Sequence, residues 1–133
     1  MMITKYRIFN KVENKYVEDV IADDFHRTLC QPAITPDGKL VALYYDEIYD
    51  VLPNTYLVEY STGLLDTNKI EIFDGDIIKK ENIYYKYYEK VYYDRELARW
   101  CVGENDTLSN IINLEVVGNI HQNRELLNEG TEY

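Results

Sequence analysis

Short runs of strand-forming residues, separated by turn signals, constrain the fold of this chain more than any other feature. Pro36-Asp37-Gly38 and Asp74-Gly75 are strong turn signals, because proline presets φ, aspartate bonds nearby backbone and glycine accepts positive φ. Strand-forming residues flank both turns, as at Lys39–Tyr45 and Asp76–Lys80. Short strands at this spacing predict a mostly β chain that forms a small barrel or sandwich.

The length of 133 residues fits one domain, residues 1–133. Pro53-Asn54 breaks the strand pattern, so we expect any lobes to be 1–53 and 54–133. Ile83–Tyr93 and Leu97–Val102 predict a hairpin in the second lobe.

Helical signals are few and lie near the C-terminus. Asp106 or Thr107 is a candidate cap for a short helix that ends at Ile112, and Asn123 for a single turn over Arg124–Leu127. The strand pattern before that turn is broken or bulged at Gly118. We expect the tail, residues 129–133, to be loose.

The net charge of −10 is unevenly distributed. Between Lys79 and Arg99, six basic residues face four acidic ones, a surplus of two, so the rest of the chain carries −12. Such a charge favours solubility and repels nucleic acid and anionic lipid. The sequence therefore makes duplex DNA an unlikely partner.

No stretch of the sequence resembles a membrane span or a secretion signal. The longest apolar run, Leu40–Tyr45, is far shorter than the roughly 20 residues of a transmembrane helix. The first residues carry charges with no apolar stretch after them. We expect a cytoplasmic protein without a membrane partner. Cys30 and Cys101 lie among apolar residues, which predicts buried free thiols, with a disulfide between them as the alternative.

Candidate catalytic and metal-binding residues are scarce. The chain has two histidines and two serines, and no nucleophile motif or glycine-rich phosphate loop surrounds them. The four residues that could bind zinc do not have the spacing of a short zinc module: His26, Cys30, Cys101 and His121. The aspartates 66, 74 and 76 lack the donor order of a calcium loop and are typical of turns. We predict no enzymatic activity, no cofactor and no metal.

Tyrosine is the most unusual component, with 14 residues in the chain and six of them between positions 84 and 93. On a strand, one face of this segment presents Tyr84, Tyr88 and Tyr92 together with Lys86 and Lys90. Three interpretations fit this pattern. Tyrosine is a good strand former, so the pattern is typical of an ordinary strand, and it is also typical of a protein interface and of a stacking platform for single-stranded nucleic acid.

Two segments resemble a known family. Residues 60–78, YSTGLLDTNKIEIFDGDII, resemble the signature "YTGLKDKNGKEIYEGDIV" of the YopX family of phage and prophage proteins. Residues 114–127, LEVVGNIHQNRELL, resemble the closing "LEVIGNIYENPELL" of that family, and residues 5–15 are similar to its opening "IKFRAWDKENK". These segments occur in the family's order, whereas residues 17–54 carry no recognisable match.

The resemblance implies a phage-derived cytoplasmic protein of a bacterial host, with no enzymatic activity. It also implies a mostly β fold with a small SH3-like β-barrel in the C-terminal half, an N-terminal β-rich lobe and one or two short helices. The motif residues are then backbone and turn requirements rather than catalytic groups: Gly63, Asp66, Gly75, Asp76, Gly118 and Asn119.

The sequence departs from the family pattern at two positions. Lys69 replaces a turn glycine, so we expect Asn68 to take the left-handed conformation. Arg124 replaces a proline at the first position of the last helical turn, where proline is favoured but not required.

The function that the sequence favours is a non-enzymatic phage or prophage protein-interaction module that self-associates through the tyrosine-rich hairpin. Its partner would be a second copy, or a phage or host protein. The first alternative is single-stranded nucleic-acid binding through the Lys/Tyr-rich strand 79–99. The second is an acidic DNA mimic that inhibits a host protein.

Overall fold

The computed structural model describes residues 5–81, 83–103, 106–108, 113–128 and 130–132. The chain divides into two compact units. Tyr6–Glu59 form the N-terminal unit, and Tyr60–Tyr133 with Met1–Lys5 form the C-terminal unit. The division falls inside a strand, whereas the sequence pattern placed a lobe boundary at Pro53-Asn54.

The N-terminal unit is built from short antiparallel strands, as the turn signals predicted. The first two, β1 (Tyr6–Asn10) and β2 (Lys15–Val17), form a hairpin. Its turn is stabilised because Asn10 Oδ1 accepts bonds from the N–H groups of Val12 and Glu13, each at 2.9 Å. Strand β7 (Tyr56–Leu65) begins in this unit, where it pairs with β1.

Four further strands of this unit form a sheet in the order β3-β4-β5-β6. They are β3 (Val20–Ile21), β4 (Leu29–Ile34), β5 (Leu40–Tyr44) and β6 (Glu47–Asp50). The sheet curls until its ends meet, since Ala22 bridges Val51 and the N–H of Asp23 donates to the carbonyl of Asp50 at 2.7 Å. The predicted turn at Gly38, with φ 89°, joins β4 to β5.

The core of the N-terminal unit lies under these strands. Its fully buried side chains come from β1, β3, β4, β5 and the residue after β3: Ile8, Val20, Cys30, Ala42 and Ala22. This apolar cluster explains why residues 17–54 form strands, because alternate positions supply the buried face.

The C-terminal unit contains the end of β7, then β8 (Glu71–Phe73) and a six-stranded antiparallel sheet. The sheet strands run in the order β12-β11-β10-β9-β13, and the last strand, β14, also pairs with β10. Their bounds are β9 (Asp76–Glu81), β10 (Tyr85–Asp94), β11 (Arg99–Val102), β12 (Asp106–Thr107), β13 (Glu115–Asn119) and β14 (Gly130–Glu132). A 3-10 helix (Arg124–Asn128) precedes β14. The sheet is a curled half-barrel, and the fold is mostly β with almost no helix.

Sequence expectations about this unit had mixed outcomes. The hairpin of β10 and β11, the bulge next to Gly118 and the short helical turn at Arg124 are confirmed. The loose tail is wrong for residues 130–132, because they pair with β10. The predicted helix after Thr107 falls mainly on residues outside the described ones, and Asp106–Thr107 themselves form β12.

The long strand β10 organises the C-terminal unit. One of its edges pairs with β9 through residues 86–90. Its other edge pairs with β11 at one end, through residues 91–94, and with β14 at the other, through residues 85–87. Val91 enters the core of this unit together with Ile72, Ile78, Val102, Leu108 and Leu114. Strand β10 therefore has one face on the core and one face turned away from it.

Candidate interaction groove

The face of β10 that turns away from the core carries the predicted tyrosines and lysines. Val91 is 1% exposed, and side chains alternate along a strand, so its neighbours Lys90 and Tyr92 lie on the opposite face. Tyr88 and Tyr92 are half-buried there, whereas Lys90 is exposed. The structure thus brings three of the predicted surface residues together.

A groove of about 670 Å³ runs along this face. It lies where β10 has β11 at one end and β14 at the other, and within the described residues no strand pairs with positions 88–90 on that edge. Side chains of β10 and residues of three later segments line the groove. Those of β10 are Tyr88, Glu89, Lys90 and Tyr92, and those of the later segments are Gly103, Ile120, Arg124 and Leu127. The volume is in the range of natural ligand sites.

Backbone requirements at Gly118 hold the 3-10 helix against this groove. A Cβ on Gly118 would lie 2.4 Å from Oδ1 of Asn123, which accepts a bond from the N–H of Asn119 at 3.1 Å. Asn119 Oδ1 in turn accepts from the N–H groups of His121 and Gln122, both at 3.0 Å. The predicted cap residue Asn123 therefore turns its side chain back toward Asn119 instead of capping the next turn.

The two tyrosines of the groove are fixed by polar contacts. Tyr92 donates its hydroxyl hydrogen to the carbonyl of Gly103 at 2.9 Å, and partial burial raises the pKa of its phenol. The ammonium of Lys90 lies 5.9 Å from the centre of the Tyr92 ring, and that of Lys86 lies 5.8 Å from the Tyr88 ring. These are cation–π distances, so each lysine stays next to an aromatic ring.

Among the described residues that line the groove there are two cations and one carboxylate, and that carboxylate is already paired. Glu89 lies at the edge of the core face of β10, and its Oε2 atom is 2.6 Å from the ammonium of Lys80. The same oxygen packs on Gly103, where a Cβ would approach it to 1.8 Å. Within the described part of the chain, no carboxylate forms a salt bridge with Lys90 or Arg124, and both side chains are exposed.

The remaining predicted surface residues lie beside the groove. Tyr84 precedes β10 and is 63% exposed, and Lys86 is half-buried. Tyrosines of the other face are exposed as well, since Tyr87 is 42% and Tyr93 is 46% exposed. Both faces of β10 therefore expose tyrosines, and the core covers only part of one face.

The side chain of Asp66, a residue of the sequence motif, accepts three backbone hydrogen bonds. It is 6% exposed, and one oxygen accepts from the N–H groups of Asn68 and Ile70, each at 2.8 Å. The other oxygen accepts from the N–H of Val116 in β13 at 2.9 Å. Burial alone would raise the pKa of Asp66, but the three N–H donors together lower it.

The other motif residues also serve the backbone. Gly63 and Gly75 have φ of 79° and 86°, which only glycine adopts freely. Asp76 is 2% exposed and accepts from the N–H of Phe73 at 2.8 Å across the tight turn. The expectation for Asn68 is wrong, because Lys69 itself takes the left-handed conformation with φ 65°.

The candidate metal ligands do not assemble. Among the described residues, no three His, Cys, Asp or Glu side chains come together in a way that could hold a metal ion. Both cysteines are free and buried, as predicted, and burial raises the pKa of Cys30. In the described part of the chain, the structure has no helix that is long and apolar enough to cross a membrane.

Comparison with protein families places the chain in one family. The family model described as YopX protein matches residues 5–128. The chain belongs to the YopX family. The structure is also similar to the crystal structure of protein EF1440 from Enterococcus faecalis, with a TM-score of 0.58 and 26% sequence identity over 96% of this chain and 99% of that one. No curated protein matches the chain.

The sequence alone did not predict the residues outside β10 that line the groove. Gly103, Ile120, Arg124 and Leu127 reach it from three separate segments. One signal was present, since Arg124 is the sole lysine or arginine after Arg99 in an acidic chain. No local pattern places that charge in a groove with Tyr88, because its position depends on how the 3-10 helix packs on β10.

Proposed function

We propose that this YopX protein is a non-enzymatic interaction module that self-associates, and that the groove beside β10 is its binding surface. From the family resemblance, we also propose that it serves a phage or prophage in the bacterial cytoplasm and that its C-terminal unit is an SH3-like barrel. A phage or host protein is a further candidate partner for the same groove.

One observation carries the proposal. The groove places two half-buried tyrosine rings next to two exposed cations, Lys90 and Arg124, in a chain with a net charge of −10. Tyrosine and arginine are enriched at the centres of protein interfaces, because they bury large surfaces and keep a hydrogen-bonding end. A cationic surface on an acidic protein is complementary to other copies of that protein.

The arrangement favours a protein partner over nucleic acid. A nucleic-acid groove gains most of its affinity from phosphate neutralisation, which needs several cations in a row. Here Lys80 is engaged by Glu89 and Lys79 by Glu115 at 2.9 Å, so two of the basic residues of β9 already have carboxylate partners. Carboxylate pairing thus reduces the number of cations in the segment 79–99 that can neutralise phosphates.

Light scattering behind a sizing column tests the proposal. The wild-type protein should show a mass above that of a 15.8 kDa monomer, increasing with concentration. The double variant Y88S/Y92S should run as a folded monomer at the same concentration. The matched control Y87S/Y93S removes two tyrosines from the opposite face of the same strand and should keep the wild-type mass.

The proposal fails if the wild-type protein is a monomer at hundreds of micromolar, or if Y88S/Y92S associates as the wild type does. Circular dichroism melts of each variant show that loss of mass is not loss of fold.

Single-stranded nucleic acid is the second candidate, and the two lysine–tyrosine contacts of β10 favour it. Cations beside stackable rings are the parts of a sequence-tolerant single-strand site. Fluorescence anisotropy with a labelled oligothymidine would detect such binding. Binding that K86Q/K90Q abolishes, together with a monomeric wild-type protein, would put this function first.

A further inference from the structure

We infer that the occupant of the groove is the loop Asp23–His26 of a second copy of this chain. The inference rests on the proposed function and names its partner. It concerns contact between copies, in which the C-terminal unit of one copy receives a loop from the N-terminal unit of the next.

The loop presents an aromatic side chain that nothing in its own unit covers. Phe25 is 97% exposed, and the described residue in ring contact with it is its neighbour His26, at 5.3 Å between ring centres. Covering this ring in the groove of another copy would remove a large apolar surface from water.

The loop is held in shape by its own turn. Asp24 accepts bonds at 3.1 Å from both the N–H and the hydroxyl of Thr28, and Arg27 takes the left-handed conformation with φ 50°. The N–H of Asp23 is bonded to Asp50, which fixes the start of the loop. A preformed loop loses little conformational entropy when it binds.

The chemistry of the loop is complementary to that of the groove. Phe25 matches a lining of two tyrosine rings with the aliphatic side chains of Ile120 and Leu127. Because Asp24 is used within its turn, Asp23 is the exposed carboxylate that remains beside Phe25. Its charge is complementary to Arg124 and Lys90 at the rim of the groove.

The geometry of such a contact determines the kind of assembly. The groove and the loop are different surfaces, so the contact forms either reciprocally in a twofold dimer, where each loop enters the partner's groove, or head to tail in a larger ring or an open chain. Every copy in a ring would contribute one loop and one groove.

A charge exchange between two variants tests the inference. In D23R the charge of the loop is inverted and the groove is unchanged. In R124E the charge of the groove is inverted and the loop is unchanged. Each variant alone should be a monomer at a concentration where the wild type associates, because like charges meet in its only available contact. An equal mixture should associate again, since each loop then finds a groove of opposite charge.

Truncation of the aromatic side chain is the second arm. F25A should weaken self-association about thirty-fold or more, as expected for the loss of a buried aromatic anchor. The control R95Q removes an exposed charge at the β10–β11 turn and should have no effect.

The outcomes separate the inference from the proposed function. If F25A and D23R associate like the wild type while Y88S/Y92S is a monomer, the groove is an interface but this loop is not its occupant. A mixture of D23R and R124E that stays monomeric while both variants are folded also overturns the inference. If Y88S/Y92S associates normally, the proposed function itself is wrong. Oligothymidine binding without self-association overturns both.

Discussion

The carboxylate of Asp66 and the backbone N–H of Val116 are separated by fifty positions in the sequence and by 2.9 Å in the structure. This bond ties the turn after β7 to β13, the strand that leads into Ile120 and the 3-10 helix of the groove. Asp66 therefore supports the surface that we propose as functional.

Replacing Asp66 should destabilise the C-terminal unit more than any other change in the motif. D66A leaves three N–H groups without their acceptor, and we expect a loss of about 2–4 kcal/mol in the free energy of unfolding. Urea denaturation followed by circular dichroism measures it. An unchanged midpoint would contradict the role assigned to these bonds.

The pKa of Asp66 gives its contribution a defined pH dependence. Its folded pKa lies below that of the unfolded chain, so the stabilisation is fully present above the unfolded pKa of about 3.9 and is lost as pH falls through the folded value. The difference in melting temperature between the wild type and D66N should be constant at neutral pH and shrink below about pH 4. A difference that grows on acidification would contradict this sign.

Lys69 occupies a backbone conformation that suits glycine. Its φ of 65° costs a residue with a Cβ about 1–2 kcal/mol, and the added freedom of the unfolded chain offsets about 0.5–1 kcal/mol of this, so K69G should raise the free energy of unfolding by about 0.5–1 kcal/mol. N68G is the matched control and should be neutral or destabilising, because Lys69 and not Asn68 takes the left-handed conformation. If Asn68 carried the strain, thermal melts would show the opposite order, with N68G more stable than K69G.

Gly118 should tolerate no side chain while Asn123 is present. G118A forces Asn123 away and breaks its bond to Asn119, with an expected cost of about 1–3 kcal/mol. In an N123G background the same change should cost much less, since the obstructing side chain is gone. A double-mutant cycle measures this coupling, and additive effects of the two changes would contradict it.

Local sequence patterns predicted the features that depend on neighbouring residues. The turns at Gly38 and Gly75, the β10–β11 hairpin and the bulge at Gly118 follow from glycine conformation and strand alternation. The residue that takes the left-handed conformation in the Asp66 turn was misassigned. A polar residue such as Asn68 tolerates that conformation better than Lys69, but the bonds to Asp66 Oδ1 determine the shape of the turn.

Local sequence patterns could not predict contacts between distant segments. The pairing of residues 130–132 with β10 and the presence of Arg124 in the groove depend on the path of the chain after β13. The tyrosines and lysines of β10 could be selected because their spacing puts them on one face. Their partners Ile120 and Leu127 belong to a segment whose own sequence indicates only a strand end and a helical turn.

Hydroxyl-radical footprinting of the wild-type protein tests the central claim most directly, because it needs no substitution. Oxidation of Tyr88 and Tyr92 should fall as the protein is concentrated from low micromolar to hundreds of micromolar, and that of Phe25 should fall in parallel. Tyr45 and Tyr93, exposed at 88% and 46%, should keep their rates and serve as internal controls. If the groove tyrosines keep a constant oxidation rate while the mass of the particle increases, association uses another surface and the account is wrong.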